Sequence, residues 1–526
     1  MHIKKLGAHP SHDLALDTID KNKQSIVFVE SKQSAEKTAE EIAKLVRKHK
    51  KSVRPELTAI AEQIRDALGS PTHQCIRLAE CVEQGIAFHH AGLVAQQREL
   101  IEDSFKKGII TTICATPTLA YGVDTPAYRV IMKTLKRYGT SSWGMNWIPV
   151  LDYLQCAGRA GRPNFHDDHG EAVAIAKDDV ERDEIVAQYI HGKPESIFSK
   201  LAVEPVLRTY VLSLIATGFA RTRQNLVTFF GKTFWAHQYK DILQLERIID
   251  KMLVLLEKWG FILQNKQDDF VSAADLGKDA VVRATPLGKR VAELYLDPYT
   301  AHHLIKGMKM LQERTYSPFG ILQLICCTLE MRPLLKLRVK DHEFVQAGLL
   351  EHYSDLLMME PTAYDPAYDD FIASVKTALF FIDWVDEKTE EELLERFNVR
   401  PGESRTKTSS ADWLLYAVSE LLPLLNMHTR VSDIKKMRTR IQYGAREELL
   451  TLLRLDGVGR VRARKLYKNG LKDLGALKNV DELTLSAIVG KAVAKNIKKQ
   501  LGENSEVEVG VRRGQLGLGK FDTRNE

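Results

Sequence analysis

Five short apolar runs in the first 190 residues constrain this chain more than any other feature. Ser25–Val29, Ile86–His89, Thr112–Ala115, Arg129–Lys133 and Ala172–Ala176 each hold four or five residues, and small or polar residues close most of them. Runs of that length suit buried strands better than helices. Segments with helical spacing lie between them, Ser34–His49 being the clearest. Strands alternating with helices predict a parallel sheet covered on both faces. In such sheets ligands gather beyond the carboxyl ends of the strands.

The rest of the chain changes character. Residues 195–298 read as helices, then Gly260-Phe-Ile-Leu263, a polar stretch and Phe270–Ala273, the helix-then-hairpin order of a winged helix. Residues 299–430 show helix after helix without a strand pattern, which predicts a helical bundle whose last long helix spans 407–422. Residues 431–503 hold several short helices, and 504–526, poor in large apolar groups, read as a mobile tail. The expected class is multidomain α/β plus α. No apolar run is long enough to span a bilayer, and the first residues lack the apolar core of a signal peptide. A cytoplasmic chain without a membrane partner is expected. The six cysteines, Cys75, Cys81, Cys114, Cys156, Cys326 and Cys327, show no zinc spacing, so they read as free thiols and no metal site is predicted. A net charge of +6 permits nucleic-acid binding without requiring it.

Chemistry is concentrated in the turns after the strands. Residues 155–163 read Gln155-Cys-Ala-Gly-Arg159-Ala-Gly-Arg162-Pro. Arginines flanked by glycines present guanidinium groups on an unobstructed backbone, suited to the charge that develops in phosphoryl transfer. Gln155 can hydrogen-bond the same phosphates or couple to the neighbouring domain. Thr116-Pro117-Thr118 follows a strand and reads as a helix start, whose amides and hydroxyls would hold a nucleic-acid phosphate. Gly122 and Asp124 would approach the nucleotide, Asp124 accepting from a ribose hydroxyl. Ser31 and His90 open similar turns and are candidate backbone ligands. Farther on, Gly457-Val-Gly459 sits between two helices. Its amides face outward, and Arg460, Arg462, Arg464 and Lys468 add positive charge for sequence-independent phosphate contact.

Taken in order, IVFVESKQSAEKTA, GIAFHHAGL, ICATPTLAYGVDTPAYRVI and QCAGRAGRP resemble motifs IV, IVa, V and VI of Ski2-like superfamily 2 helicases, in particular the archaeal HelQ-like DNA repair helicases. The resemblance runs from residue 11 to 503. It implies a second RecA-like domain (1–194), a winged helix (195–298), a helical ratchet domain (299–430) and a helix-hairpin-helix module (431–503). Arg159 and Arg162 would then be arginine fingers, with ATP and Mg2+ as cofactors. Between motifs V and VI the family carries a duplex-splitting hairpin. Here Tyr138, Trp143, Met145 and Trp147 would wedge against the terminal base pair. The family also opens a long helix with Pro-Gly-x-x-Arg. Here Arg405 and Lys407 would meet phosphates and Trp413 would stack on a base. Gln515, Leu518 and Phe521 in the tail resemble a peptide that docks on a sliding clamp.

The 526 residues contain no G-x-x-x-x-G-K-[ST] phosphate loop and no acidic D-E-x-D/H box. The expectation is therefore the C-terminal part of an ATP-dependent 3′-to-5′ helicase on forked or branched DNA, active only with a phosphate-loop RecA-like subunit that also carries the metal ligands. A non-catalytic DNA-binding paralogue or relic is the alternative, and part of a Ski2-like RNA helicase a weaker one.

Overall fold

A computed structural model describes residues 3, 5–49, 54–68, 71–121, 125–138, 145–162, 167–201, 203–265 and 281–502. They form two compact units, one of Met1–Trp384 with Lys388–Gln442, the other of Val385–Glu387 with the residues from Tyr443 onward. Phe270–Ala273 and the tail peptide Gln515, Leu518 and Phe521 lie outside the described residues.

The first unit opens with the predicted sheet. Strands β1 (Ser25–Phe28), β2 (Ile86–His89), β3 (Thr112–Ala115), β4 (Arg129–Met132) and, after the β5–β6 hairpin (Lys136–Tyr138 and Met145–Trp147), β7 (Glu171–Ala174) are involved. Five of these pair in the order β2-β3-β1-β4-β7, all parallel. Every residue of β1 to β4 is buried, which is why their sequences are continuous apolar runs rather than alternating ones. Ser25, His89 and Thr112 are polar residues at strand ends, and Arg129 is a fully buried charge at the start of β4. It donates to Asp17 Oδ2 at 2.8 Å, Glu171 Oε2 at 2.6 Å and the Leu14 carbonyl at 2.9 Å, tying the Pro10–Asp20 helix to the sheet. A buried guanidinium is tolerable only with such partners.

Beyond the sheet, helices between Glu204 and Lys258 lead into an antiparallel pair, β8 (Ile262–Asn265) with β9 (Val281–Ala284). The remainder of the unit is helical, including Pro298–Gln312, Pro318–Cys326, Tyr368–Val385 and Pro401–Leu421. The last begins at Pro401 and not at 407. Proline occupies its first turn, and the Glu403 carboxylate accepts the Arg400 amide at 3.0 Å. The His428–Tyr443 helix runs across the boundary expected at 430/431.

In the second unit short 3₁₀ turns precede four helices, Arg460–Lys468, Leu474–Asn479, Glu482–Val489 and Lys491–Gly502. Leu452, Val458, Leu466, Leu477, Leu485 and Ile497 form its core. Gly457 (φ +81°) and Gly490 (φ +88°) take the left-handed conformation at the two turns, where a side chain would be strained. A parallel sheet with intervening helices, followed by helical regions, thus matches the expected class of multidomain α/β plus α. Among the described residues no helix is long and apolar enough to cross a membrane, and no cluster of three His, Cys, Asp or Glu side chains is set to hold a metal.

Candidate functional site

The turns after β1, β3 and β2 lie along one edge of the sheet, but their residues are not equivalent. Ser31 is exposed, and its hydroxyl accepts the Ser34 amide at 3.1 Å at the start of the Lys32–His49 helix. Thr116 and Thr118 share a hydroxyl–hydroxyl bond of 2.8 Å at the surface. The helix expected after them is a single 3₁₀ turn, Pro117–Ala120, because the Thr116 hydroxyl bonds Thr118 and caps no amide. Fewer aligned amides face outward than the sequence suggested.

His90 corrects the expectation of a DNA ligand. Its ring is fully buried. Nδ1 accepts the Gly92 amide at 3.1 Å, which leaves Nε2 as the donor to Glu36 Oε1 at 3.2 Å. Glu36 is itself 3% exposed and also receives Gln74 at 3.0 Å, Arg77 at 3.0 Å and Arg400 at 3.1 Å. Burial alone would raise the Glu36 carboxyl, but the His90 hydrogen bond and the Arg400 and Arg77 charges hold it at about 2. Burial pushes the His90 imidazole below its ordinary range, so it is neutral at pH 7. Sequence reading missed Glu36. Its signal was a carboxylate on the stripe shared by Ala35, Ala39, Ile42 and Val46, the buried face of its helix.

The two arginines of the Gln155–Arg162 segment also part company. Their loop is pinned to the sheet by Ala127 N–H to the Arg159 carbonyl at 2.8 Å and Gly161 N–H to the Ala127 carbonyl at 2.7 Å. Gly161 has φ +106°, and a Cβ on Gly170 would sit 2.3 Å from its nitrogen, so the approach requires glycines. Arg159 is half-buried and donates to the Ala120 carbonyl at 2.5 Å, while Gln155 is exposed. Arg162 is 4% exposed. It donates to Asp167 Oδ2 at 2.8 Å and Gln24 Oε1 at 2.6 Å, and Lys23 pairs with the same carboxylate. Asp167 and Gln24 thus engage the Arg162 guanidinium within the domain. Gly122, Asp124 and Trp143 lie outside the described residues.

Near the β5–β6 hairpin, Met145 is exposed, but Trp147 is half-buried. The Lys136 ammonium lies 4.1 Å from its ring centroid, and Tyr189 packs at 5.9 Å. Trp147 braces the hairpin base, whereas the expectation had it as a wedge. On the Pro401–Leu421 helix, Arg405 is exposed with Glu390 at 3.9 Å. Trp413 is half-buried and donates to the Leu294 carbonyl at 3.3 Å. Lys407 corrects a further expectation. Its ammonium donates to the Met331 carbonyl at 2.7 Å and to that of Pro333, and burial lowers its pKa.

In the second unit Gly459 opens the Arg460–Lys468 helix, and a Cβ there would meet nothing within 4 Å. Arg462 is exposed and donates to the Gly457 carbonyl at 2.8 Å, and Lys468 is exposed. Arg464 is instead spent on Glu387 at 2.5 and 2.7 Å and Glu448 at 2.8 Å. All six cysteines are free.

Comparison with known proteins places these features. Residues 63–164 match the helicase conserved C-terminal domain, 319–444 the archaeal helicase domain 4, and 449–503 the SAM-like helix-hairpin-helix tandem. The ATP-dependent DNA helicase Hel308 of Methanocella arvoryzae is 38% identical over 507 residues, covering 95% of this chain and 66% of the relative. That of Pyrococcus horikoshii is 37% identical over 96% of this chain and 67% of the relative. The chain belongs to the archaeal Hel308 family of Ski2-type superfamily 2 helicases. The Hel308 of Methanococcus vannielii is 33% identical over 535 residues, covering 95% of this chain. The chain spans about two thirds of the length of these Hel308 relatives.

Proposed function

We propose that this chain forms the second motor domain and the DNA-handling part of an ATP-dependent 3′-to-5′ helicase that unwinds forked or branched DNA in repair and replication restart. A phosphate-loop RecA-like domain completes the motor. The observation that carries this reading is Arg159, held half-exposed beside Ala120 on a loop pinned by Ala127 and Gly161. A guanidinium in that setting suits a nucleotide phosphate presented by another domain. ATP with Mg2+ would supply the phosphoryl group and its neutralising metal, whose ligands belong to the phosphate-loop domain. Arg162 fits the nucleotide only after exchanging Asp167 for phosphate.

Residues 1–194, 195–298, 299–430 and 431–503 then serve as RecA-like, winged-helix, ratchet and helix-hairpin-helix domains. Ser31, Thr116 and Thr118 would take backbone phosphates. Arg405 and Trp413 would hold the single strand, and Gly457, Gly459, Arg460 and Arg462 would grip phosphates without reading bases. Gln515, Leu518 and Phe521 remain a proposed clamp-binding peptide.

The test is DNA-stimulated ATP hydrolysis by this chain mixed with a phosphate-loop RecA-like domain. Arg159→Ala should lower it by about 10³-fold or more while leaving DNA binding intact. A second reading, a non-catalytic DNA-binding protein, draws on the engagement of Arg162 by Asp167. It predicts DNA binding with no hydrolysis in any mixture.

A further inference from the structure

The Glu36 cluster does more than bury a charge. Three of its members, Glu36, Arg77 and His90, belong to the sheet region, but Arg400 caps the Pro401–Leu421 helix, more than 300 residues away in sequence. Two further contacts join the same elements. The Gly402 amide donates to the Gly92 carbonyl at 3.0 Å, and Lys32 pairs with Glu403. The fit leaves no room. A Cβ on Gly402 would lie 2.4 Å from the Leu93 carbonyl oxygen and 2.5 Å from that of Ala91, and a Cβ on Gly92 would lie 2.5 Å from the Arg400 side chain. The turn after β2 is thus closed over by the helix base. Downstream on the same helix stand Arg405 and Trp413.

We infer that Glu36, Arg400 and Gly402 are positioning residues that lock the base of the Pro401–Leu421 helix to the sheet domain, so that the domain's displacement carries Arg405 and Trp413 along the strand. The physical argument is one of stiffness. A buried carboxylate satisfied by four donors has no alternative partner of equal quality, so the joint does not slide in small steps. A backbone-to-backbone contact without intervening side chains adds no soft torsion. Push on the sheet domain therefore reaches the helix undamped. This inference rests on the proposed helicase reading for its functional consequence, but not for the lock itself.

Two arms separate the possibilities. In the first, hydrogen exchange is measured on the full chain alone. Arg400→Ala and, independently, Gly402→Ala should deprotect residues 89–93 and 400–406 together, while β1 to β4 stay protected. Deprotection of one segment without the other, or of neither, would overturn the lock. In the second arm the same variants are mixed with a phosphate-loop RecA-like domain on forked DNA. Hydrolysis should be retained while base pairs unwound per ATP fall by about fivefold or more. Arg400→Lys should recover part of that ratio. A parallel fall of hydrolysis and unwinding, or an unchanged ratio, would refute the transmission role. Absence of hydrolysis in the unsubstituted mixture would sink the helicase reading, with the first arm still deciding the lock.

Discussion

The Glu36 cluster and the Gly457–Lys468 turn are built from the same kinds of residue, yet they act in opposite ways. In the cluster, Arg77, His90 and Arg400 converge on one carboxylate away from water. In the turn, Arg462 and Lys468 face solvent, and the space above Gly459 is open. The first arrangement spends its charges on the protein and gains a fixed geometry. The second leaves its charges at the surface, where the attraction available to a polyanion is salt-sensitive and non-specific. Basic residues in a motif are therefore not ligands by type. Burial decides which they are.

The comparison can be broken most forcefully by removing the carboxylate. Glu36→Ala removes the carboxylate from the fully buried His90 and the half-buried Arg400, while Arg77 keeps Glu40, and should cost about 3 kcal/mol of unfolding free energy. Denaturant titration checks this, and a loss below about 1 kcal/mol, as for a surface pair, would erase the distinction.

Acid should loosen the cluster next. His90 is held below its ordinary 6.5 by burial, so the unfolded chain takes up that proton first and stability falls as pH drops through that value. Glu36, held at about 2 against its ordinary 4.5, contributes stability above 4.5 that is lost as pH falls towards 2. Arg77, Arg400 and Lys32 are the cations that surround the pair. Amide exchange at Gly92 and Gly402, corrected for the intrinsic rate, should therefore quicken below pH 6.5 and again below 4.5. A flat profile would contradict the assignment of the neutral histidine.

The smallest effect belongs to the exposed turn. Arg462→Ala should leave stability within about 0.5 kcal/mol of the parent and reduce the slope of log affinity for DNA against log salt by about 1. Loss of folding instead would mean that this arginine is structural, like Arg464.

Much of this architecture was legible because its strands are buried on both faces. A run such as Ile113-Cys-Ala115 has only one comfortable environment. The glycine-flanked segment around Arg159 was legible for a related reason, since few backbones need glycines at that spacing. Burial of polar groups was not legible. His89, the last residue of β2, and His90 after it are both buried, one on Glu102 and the other on Glu36, and nothing near them in the sequence announces either carboxylate. Arg162 was read from its motif as a free finger, but Asp167 and Gln24 claim it in three dimensions. The start of the Pro401–Leu421 helix was placed late because its first turn packs on the turn after β2, so its buried residues there are Pro401, Gly402 and Ser404 and no apolar period appears. In the same way Arg129 stood in an apolar run with nothing to announce Asp17 and Glu171 as its partners.

The most direct measurement is unwinding of a forked duplex by this chain together with a phosphate-loop RecA-like domain in the presence of ATP and Mg2+. Strand separation by the mixture, absent with either component alone and abolished by Arg159→Ala, is the predicted result. Tight binding of the fork without strand separation or ATP hydrolysis in any mixture would contradict the account.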